Sequence, residues 1–345
     1  MLKKVGVMLV IVVVAWVHQS IHPPPPKICG SPGGPAITAP RIKLRDGRYL
    51  AYKESGVPKE SAKFKIIFVH GFDCCRHDAV IATHLPKGII EELGLHVVSY
   101  DRSGYGESDP NPKLTAKSMA LDVEELADLL GLGDKFYLVG FSMGGQTLWS
   151  SLKYIPHRLA GVALLAPVVN YWWSGLATNI SKEAFQQQLP QDQWATRVAH
   201  YTPWLTYWWN TQKFFPSSSV ASRKPDKFNL QDLQLITKIL PLTINHTPQV
   251  RQQGEFESIH RDMMVGFGKW EFSPLDLTNP FKDNKGSVHL WQGDEDGIVS
   301  VKLQRHVAET LPWIQYHEIA GGGHLFPYAE GMVESILKAL TLSQK

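Results

Sequence analysis

The segment Phe136-Tyr-Leu-Val139 runs into Gly140-Phe141-Ser142-Met143-Gly144-Gly145, and Gln146-Thr-Leu-Trp-Ser150 after it is compatible with a helix. A serine with glycine two residues away on either side, at a strand-to-helix turn, presents its hydroxyl at a helix N-terminus, because small neighbours let strand and helix pack closely. A serine hydroxyl is a poor nucleophile at neutral pH. It needs a base within hydrogen-bond reach and a carboxylate that orients the base. Both follow downstream, Gly293-Asp294-Glu295-Asp296-Gly297 closing one apolar run and Gly321-Gly-Gly-His324 closing the next. Ser142 is therefore expected to be the nucleophile, His324 the base and Asp296 the orienting carboxylate. Asp296 is preferred to Asp294 for its place nearer the helix starting around Val301, and Glu295 is expected on the opposite side. The three glycines before His324 read as a flexible loop that delivers the imidazole.

Acyl transfer also requires backbone N–H groups aimed at the developing oxyanion. The expected donors are Met143, next after the nucleophile, and Phe72 in the His70-Gly71-Phe72 turn, where His70 is read as structural. Asp101-Arg-Ser-Gly104-Tyr-Gly106-Glu-Ser108 reads as a rigid loop framing the pocket floor. Its glycines match neither G-x-G-x-x-G nor a G-K-[ST] loop, which argues against nucleotide binding. No cofactor and no metal is expected, since the acidic turn has no patterned His or Cys partners. The three cysteines, Cys29, Cys74 and Cys75, are an odd count in a 345-residue chain and argue against a disulfide framework. Cys74 and Cys75 read as small buried side chains.

These groups need a scaffold that places strand ends side by side. A hairpin is expected from Ile42-Lys-Leu44 and Tyr49-Leu-Ala-Tyr52 about the Asp46-Gly47 turn. Short apolar runs at 66–69, 96–100, 136–139, 162–165 and 288–291 suit strands covered on both faces, and 314–319 alternates like an edge strand. Met119, Val123, Leu126 and Leu130 fall on one helix face, stopped by Gly131 and Gly133. The order predicts an α/β fold with a mostly parallel, doubly wound sheet. It is interrupted at 170–285 by a helical lid holding seven of the 11 tryptophans (Trp172, Trp173, Trp194, Trp204, Trp208, Trp209 and Trp270), which serve either an apolar pocket or a small core. The core is expected at 41–169 and 286–345.

Residues 1–20 carry Lys3 and Lys4 and then an uncharged run at 5–17, the pattern of a signal anchor or a cleaved signal peptide. At about 1.5 Å per residue the run reaches about 20 Å, short of the roughly 30 Å hydrocarbon core. The lysines favour a cytoplasmic N-terminus, and so a body in the secretory or endomembrane pathway, held at the membrane or secreted after cleavage. Residues 21–40, with Pro23 to Pro26 and then a Gly/Pro stretch, read as an extended polyproline-type linker. A net charge of +3, without a long basic run, excludes nucleic acid as the expected partner.

Together, His70-Gly71, Asp101-Arg-Ser-Gly104-Tyr-Gly106, the Gly140 to Gly145 elbow, Gly293-Asp-Glu-Asp296 and Gly323-His324 closely resemble the α/β-hydrolase-1 superfamily over roughly 40–342. The Phe-Ser-Met-Gly-Gly elbow is similar to those of esterases, lipases and cofactor-free perhydrolases, and Ile28-Cys-Gly-Ser-Pro-Gly-Gly looks like a subgroup of plant membrane-anchored members. Epoxide hydrolases and haloalkane dehalogenases of this fold carry Asp at the elbow, so Ser142 counts against both. The resemblance implies fold and triad, not substrate. The expected function is cleavage of a small or lipid-like, apolar carboxylic ester. Acyl transfer on the same triad and a non-catalytic small-molecule receptor of the same fold are the alternatives.

Overall fold

The computed structural model describes residues 2–224, 226–281 and 286–342. The expected lid boundary at Lys285 lies outside them, as do Met1 and the last three residues. After helix α1 (Leu2–Ile21) come strands β1 (Arg41–Lys43), β2 (Tyr49–Gly56), β3 (Phe64–Val69), β4 (Leu95–Tyr100), β5 (Phe136–Phe141), β6 (Leu159–Leu165), β7 (Val288–Gly293) and β8 (Ile314–Ile319). The strands form one sheet in the order β1-β2-β4-β3-β5-β6-β7-β8. The β1–β2 and β2–β4 pairs are antiparallel and the remaining five are parallel. Helices α2 (Val80–Thr83) and α3 (Lys87–Leu93) link β3 to β4, α4 (Ala116–Leu129) precedes β5, and α5 (Gly144–Tyr154) follows it. Helices α12 (Val301–Thr310) and α13 (Met332–Leu342) flank β8.

Alternation along the parallel strands sends successive side chains to opposite faces, so each face carries its own core. Ile67, Val69, Leu138, Leu164 and Leu290 pack under α4, α5 and α12. Ile66, Phe68, Val139, Ala163 and Leu165 pack under α2, α3 and α13. This is why the central strands read as unbroken apolar runs.

Between β6 and β7 the chain forms α6 (Thr178–Gln186), α7 (Pro190–Tyr201), α8 (Thr206–Thr211), α9 (Leu230–Thr243), α10 (Thr247–Val250) and α11 (Arg261–Gly266), with no strand among the described residues. Its tryptophans do not line the cavity at Ser142. Trp173 is buried against the sheet core, Trp172 stacks on His200 at 4.1 Å, and Trp194 and Trp204 stand exposed.

Two N-terminal expectations change. The apolar run lies within a longer helix, Leu2–Ile21, whose 20 residues reach about 30 Å at about 1.5 Å per residue, long enough to cross a hydrocarbon core. The span Lys4–Ile21 has mean hydropathy 1.8 and none of it is buried in the protein. The segment after it is not a free spacer. Lys27 N–H donates to the Gln253 carbonyl at 3.0 Å, Cys29 N–H to Gln253 Oε1 at 3.1 Å, and Thr38 N–H and Oγ1 to the Glu107 carboxylate at 2.7 and 2.6 Å. Pro23 to Pro26 have no N–H to give, but Lys27, Cys29, Thr38 and Ala39 do, and the buried Glu107 and Gln253 side chains require such partners. The three thiols are unpaired, and burial, with Glu107 nearby, pushes Cys29 up to about 11.

Candidate active site

β5 ends in a turn that holds Ser142 at φ +53°, a left-handed conformation that costs a residue with a Cβ about 1–2 kcal/mol. The surroundings enforce it. Ser142 N–H donates to the Leu165 carbonyl at 2.8 Å, and its own carbonyl accepts from Gly145 and Val168 at 3.0 and 3.1 Å. A Cβ at Gly140 would meet Leu148 Cδ1 at 2.5 Å, and one at Gly144 would meet the Val69 carbonyl oxygen at 2.3 Å. The sharp turn therefore depends on both glycines, and Ser142 is delivered to the start of α5.

His324 Nε2 lies 3.1 Å from Ser142 Oγ, and His324 Nδ1 lies 2.8 Å from Asp296 Oδ2. An ionised carboxylate only accepts, so Nδ1 carries the proton it donates to Asp296 and Nε2 is left to accept from the serine hydroxyl. Asp296 is itself fixed: Oδ1 accepts from Ile298 and Val299 N–H at 2.8 and 2.9 Å, and Oδ2 also accepts from Gln292 Nε2 at 3.0 Å. Burial alone would lower the His324 pKa, but the charge and hydrogen bond of Asp296, together with the charge of Asp232, outweigh it and hold the pKa above the ordinary histidine value. Asp294 instead accepts from Gly321 N–H at 2.7 Å, and the exposed Glu295 accepts from Asn229 Nδ2 at 3.1 Å.

The sequence did not disclose Asp232. This buried carboxylate, in the first turn of α9, accepts from His324 N–H at 3.0 Å and from Leu325 N–H at 2.7 Å. Gln231 Oε1 accepts from Gly323 N–H at 2.9 Å, so one helical turn clasps the histidine loop. Gly323 serves close approach: a Cβ there would meet Asn229 Oδ1 and Asp232 Oδ1, each at 2.3 Å. The only local signal is Asn229 as an N-cap, accepting from Asp232 N–H at 2.8 Å, and a cap does not say which distant loop the turn will grip.

The turn after β3 passes beside the serine, since a Cβ on Gly71 would lie 3.2 Å from Ser142 Cβ. Arg102 pins it: its guanidinium donates to the His70 and Gly71 carbonyls, both at 3.0 Å, and pairs with Asp262 through two bonds of 2.7 Å. His70 donates from Nδ1 to the Gly71 carbonyl at 2.8 Å and accepts Arg102 N–H on Nε2 at 3.0 Å. Burial and Arg102 push its pKa well down, so it is a neutral structural element. Among the described residues no acceptor takes the N–H of Phe72 or of Met143. Both residues line the same cavity as Ser142.

The loop at 101–108 is placed differently from the expectation. It does not line this cavity but lies behind the Phe72 turn, with Arg76 bridging the buried Asp101 and Glu107 carboxylates. Charged groups that deep need one another rather than a ligand. Asp262→Ala should accordingly leave Arg102 buried without its carboxylate and cost about 3–5 kcal/mol, measured as a lower midpoint in urea unfolding.

The cavity holds about 100 Å³ and is lined on its apolar side by Val168, Val169, Val220, Met263, Phe267, Ile298, Val299 and Leu303. No metal-binding cluster of His, Cys, Asp or Glu occurs among the described residues.

The sequence profile of the alpha/beta hydrolase fold matches residues 66–330. None of the curated proteins matches the chain. Among solved structures, a thermophilic esterase from Thermogutta terrifontis is similar at TM-score 0.58 and 21% identity over 89% of this chain and 100% of that one. The enol-lactonase from Burkholderia xenovorans superposes at TM-score 0.59 and 15% identity, over 87% of this chain and 98% of its own. A carboxylesterase structure from the thaumarchaeon Nitrososphaera gargenis gives TM-score 0.59 and 14% identity, over 88% and 98%.

Proposed function

The chain belongs to the alpha/beta hydrolase fold family, and on that premise we propose that it is a serine hydrolase that cleaves an apolar carboxylic ester through an acyl-enzyme on Ser142. The observation that carries the reading is the hydrogen-bonded series Ser142 Oγ, His324 and Asp296, at 3.1 and 2.8 Å, beside two unpaired amides. Ser142 Oγ attacks the ester carbonyl carbon as His324 Nε2 takes its proton, and the carbonyl oxygen becomes an oxyanion received by the Phe72 and Met143 N–H groups. The C–O bond to the alcohol then breaks as His324 returns that proton to the leaving oxygen. Water enters, gives a proton to Nε2 and attacks the acyl carbon, and the acyl–Oγ bond then breaks as Nε2 returns that proton to Ser142 Oγ, releasing the acid and the free serine. Val168, Val299 and Leu303 in the cavity wall favour an apolar substrate group.

The test is labelling of the full chain with a fluorophosphonate, with the modified peptide located by mass spectrometry. Phosphonylation of Ser142 together with turnover of p-nitrophenyl esters is expected. A folded chain that binds apolar esters without labelling or turnover would overturn the reading in favour of a receptor. Transfer to added alcohol in preference to water would replace hydrolysis by acyl transfer.

We further infer that α1 anchors the protein in a membrane, with the segment from Lys27 onward already part of the body.

Asp232 is read as a positioning residue. Asp232→Asn is expected to lower kcat about tenfold with little change in KM, because the His324 loop loses one of two matched acceptors and drifts. The pH profile carries the sharper sign. Only neutral His324 can accept the serine proton, so activity rises with pH through its pKa, which lies above the ordinary value. Removing the Asp232 charge should move that acid limb to lower pH. A profile that stays in place would reduce Asp232 to a structural contact.

A further inference from the structure

Helix α7 has two different sides. Asp192 and Thr196, four residues apart, face the Ser142 cavity, whereas Trp194 and Tyr201, seven apart and on another face, are 53% and 65% exposed. The chain at 214–220 divides the same way, Phe214 and Phe215 standing 73% and 54% exposed and Ser218, Ser219 and Val220 lining the cavity. Trp209 joins two of these groups, lying 5.9 Å from the Trp194 ring and stacking on Phe215 at 5.8 Å, and Trp204, 62% exposed, sits in the turn between α7 and α8. The apolar helix α1 packs against α8. So many exposed aromatic rings on one lid region are unusual on a surface facing water. Indole and phenol rings have an apolar body and a polar tip and favour the headgroup level of a bilayer.

We propose that this aromatic face lies in the interfacial layer of the membrane that α1 enters, and that the ester substrate is a lipid-soluble molecule delivered to Ser142 from the bilayer. The inference rests on the ester-hydrolase reading and on α1 as an anchor. The occupant is lipid rather than a protein because the face adjoins a helix that meets the body at α8 and whose 18-residue apolar span is 0% buried in the protein. The cavity wall and the membrane face are then two sides of one helix and one loop, so a substrate dissolved in the bilayer need not cross water to reach the serine.

The test uses the full chain in phosphatidylcholine vesicles whose acyl chains carry bromine, which quenches indole emission at short range. Trp16, in α1, reports the anchor, and Trp204 reports the face. Trp16→Phe and Trp204→Phe are each expected to remove part of the quenched emission. If only Trp16→Phe does so, the anchor holds and the aromatic face is exposed to water or to a protein, which overturns the inference. If neither does, the anchor reading falls and takes the inference with it. A second measurement compares the Phe214→Ser/Phe215→Ser variant with the parent chain on a long-chain p-nitrophenyl ester held in vesicles and on p-nitrophenyl acetate in water. Delivery from the bilayer predicts a loss confined to the vesicle-held ester, and an unchanged or equal loss on both overturns it. A parent chain inactive on both esters indicts the hydrolase reading, while the quenching still reports on the face.

Discussion

Ser142→Ala is expected to lower kcat for ester hydrolysis by about 10⁵-fold or more and to abolish fluorophosphonate labelling, with KM little changed. The size follows from what the residue alone supplies. His324 Nε2 is aimed at Ser142 Oγ, and with the oxygen gone no group among the described residues at that strand end can form the acyl bond. The unpaired Phe72 and Met143 amides would remain to polarise a carbonyl, which leaves a small residual rate. The substitution should barely alter folding, because alanine has the same Cβ at φ +53° and inherits the same strain. Ser142→Gly separates the two properties. It removes the Cβ that makes the left-handed angle costly, so it should raise stability by about 1 kcal/mol while being just as inactive. An alanine variant that keeps more than a few per cent of the parent rate would move the chemistry elsewhere.

How much of this was legible in the sequence depended on how local the signal was. The parallel strands showed because burial on both faces demands apolar runs, and the elbow showed because its glycines sit within two residues of Ser142. His324 and Asp296 stand at turns that close strands, and the structure brings them into hydrogen-bonded series with Ser142. The grip of α9 on the histidine loop was not, because Asp232 and His324 lie 92 residues apart and nothing near Asp232 records its acceptor duty. For the same reason the glycines at 321–323 read as flexible, whereas at Gly323 the helix pressing on the loop requires the missing Cβ. By composition residues 21–40 read as a linker, since the docking from Lys27 onward rests on Gln253 and Glu107, distant side chains invisible to a local reading. The tryptophans marked a helical insertion, but composition cannot say which side of a helix faces the cavity.

Asp296→Asn should lower kcat by about 10⁴-fold, and Asp294→Asn by no more than a few-fold. Asp296 receives hydrogen bonds on both oxygens, from Ile298 and Val299 N–H on Oδ1 and from Gln292 and His324 on Oδ2. An asparagine must keep its carbonyl oxygen toward the two backbone N–H groups, which turns its NH₂ toward Gln292 and His324. His324 Nδ1 then has to accept rather than donate, so the ring proton moves to Nε2 and points at the serine hydroxyl it should receive from. The imidazole stays in place with the wrong tautomer, so the loss should appear in kcat with the fold intact. Asp294 meets only the Gly321 N–H, and an amide oxygen can still accept that bond. Asp232 offers the control inside the same site. It contributes negative charge near His324 but touches it only through backbone N–H, so it cannot choose the tautomer. If Asp296→Asn costs less than about tenfold, tautomer control by Asp296 is not what the site uses, and Asp296 loses the orienting role.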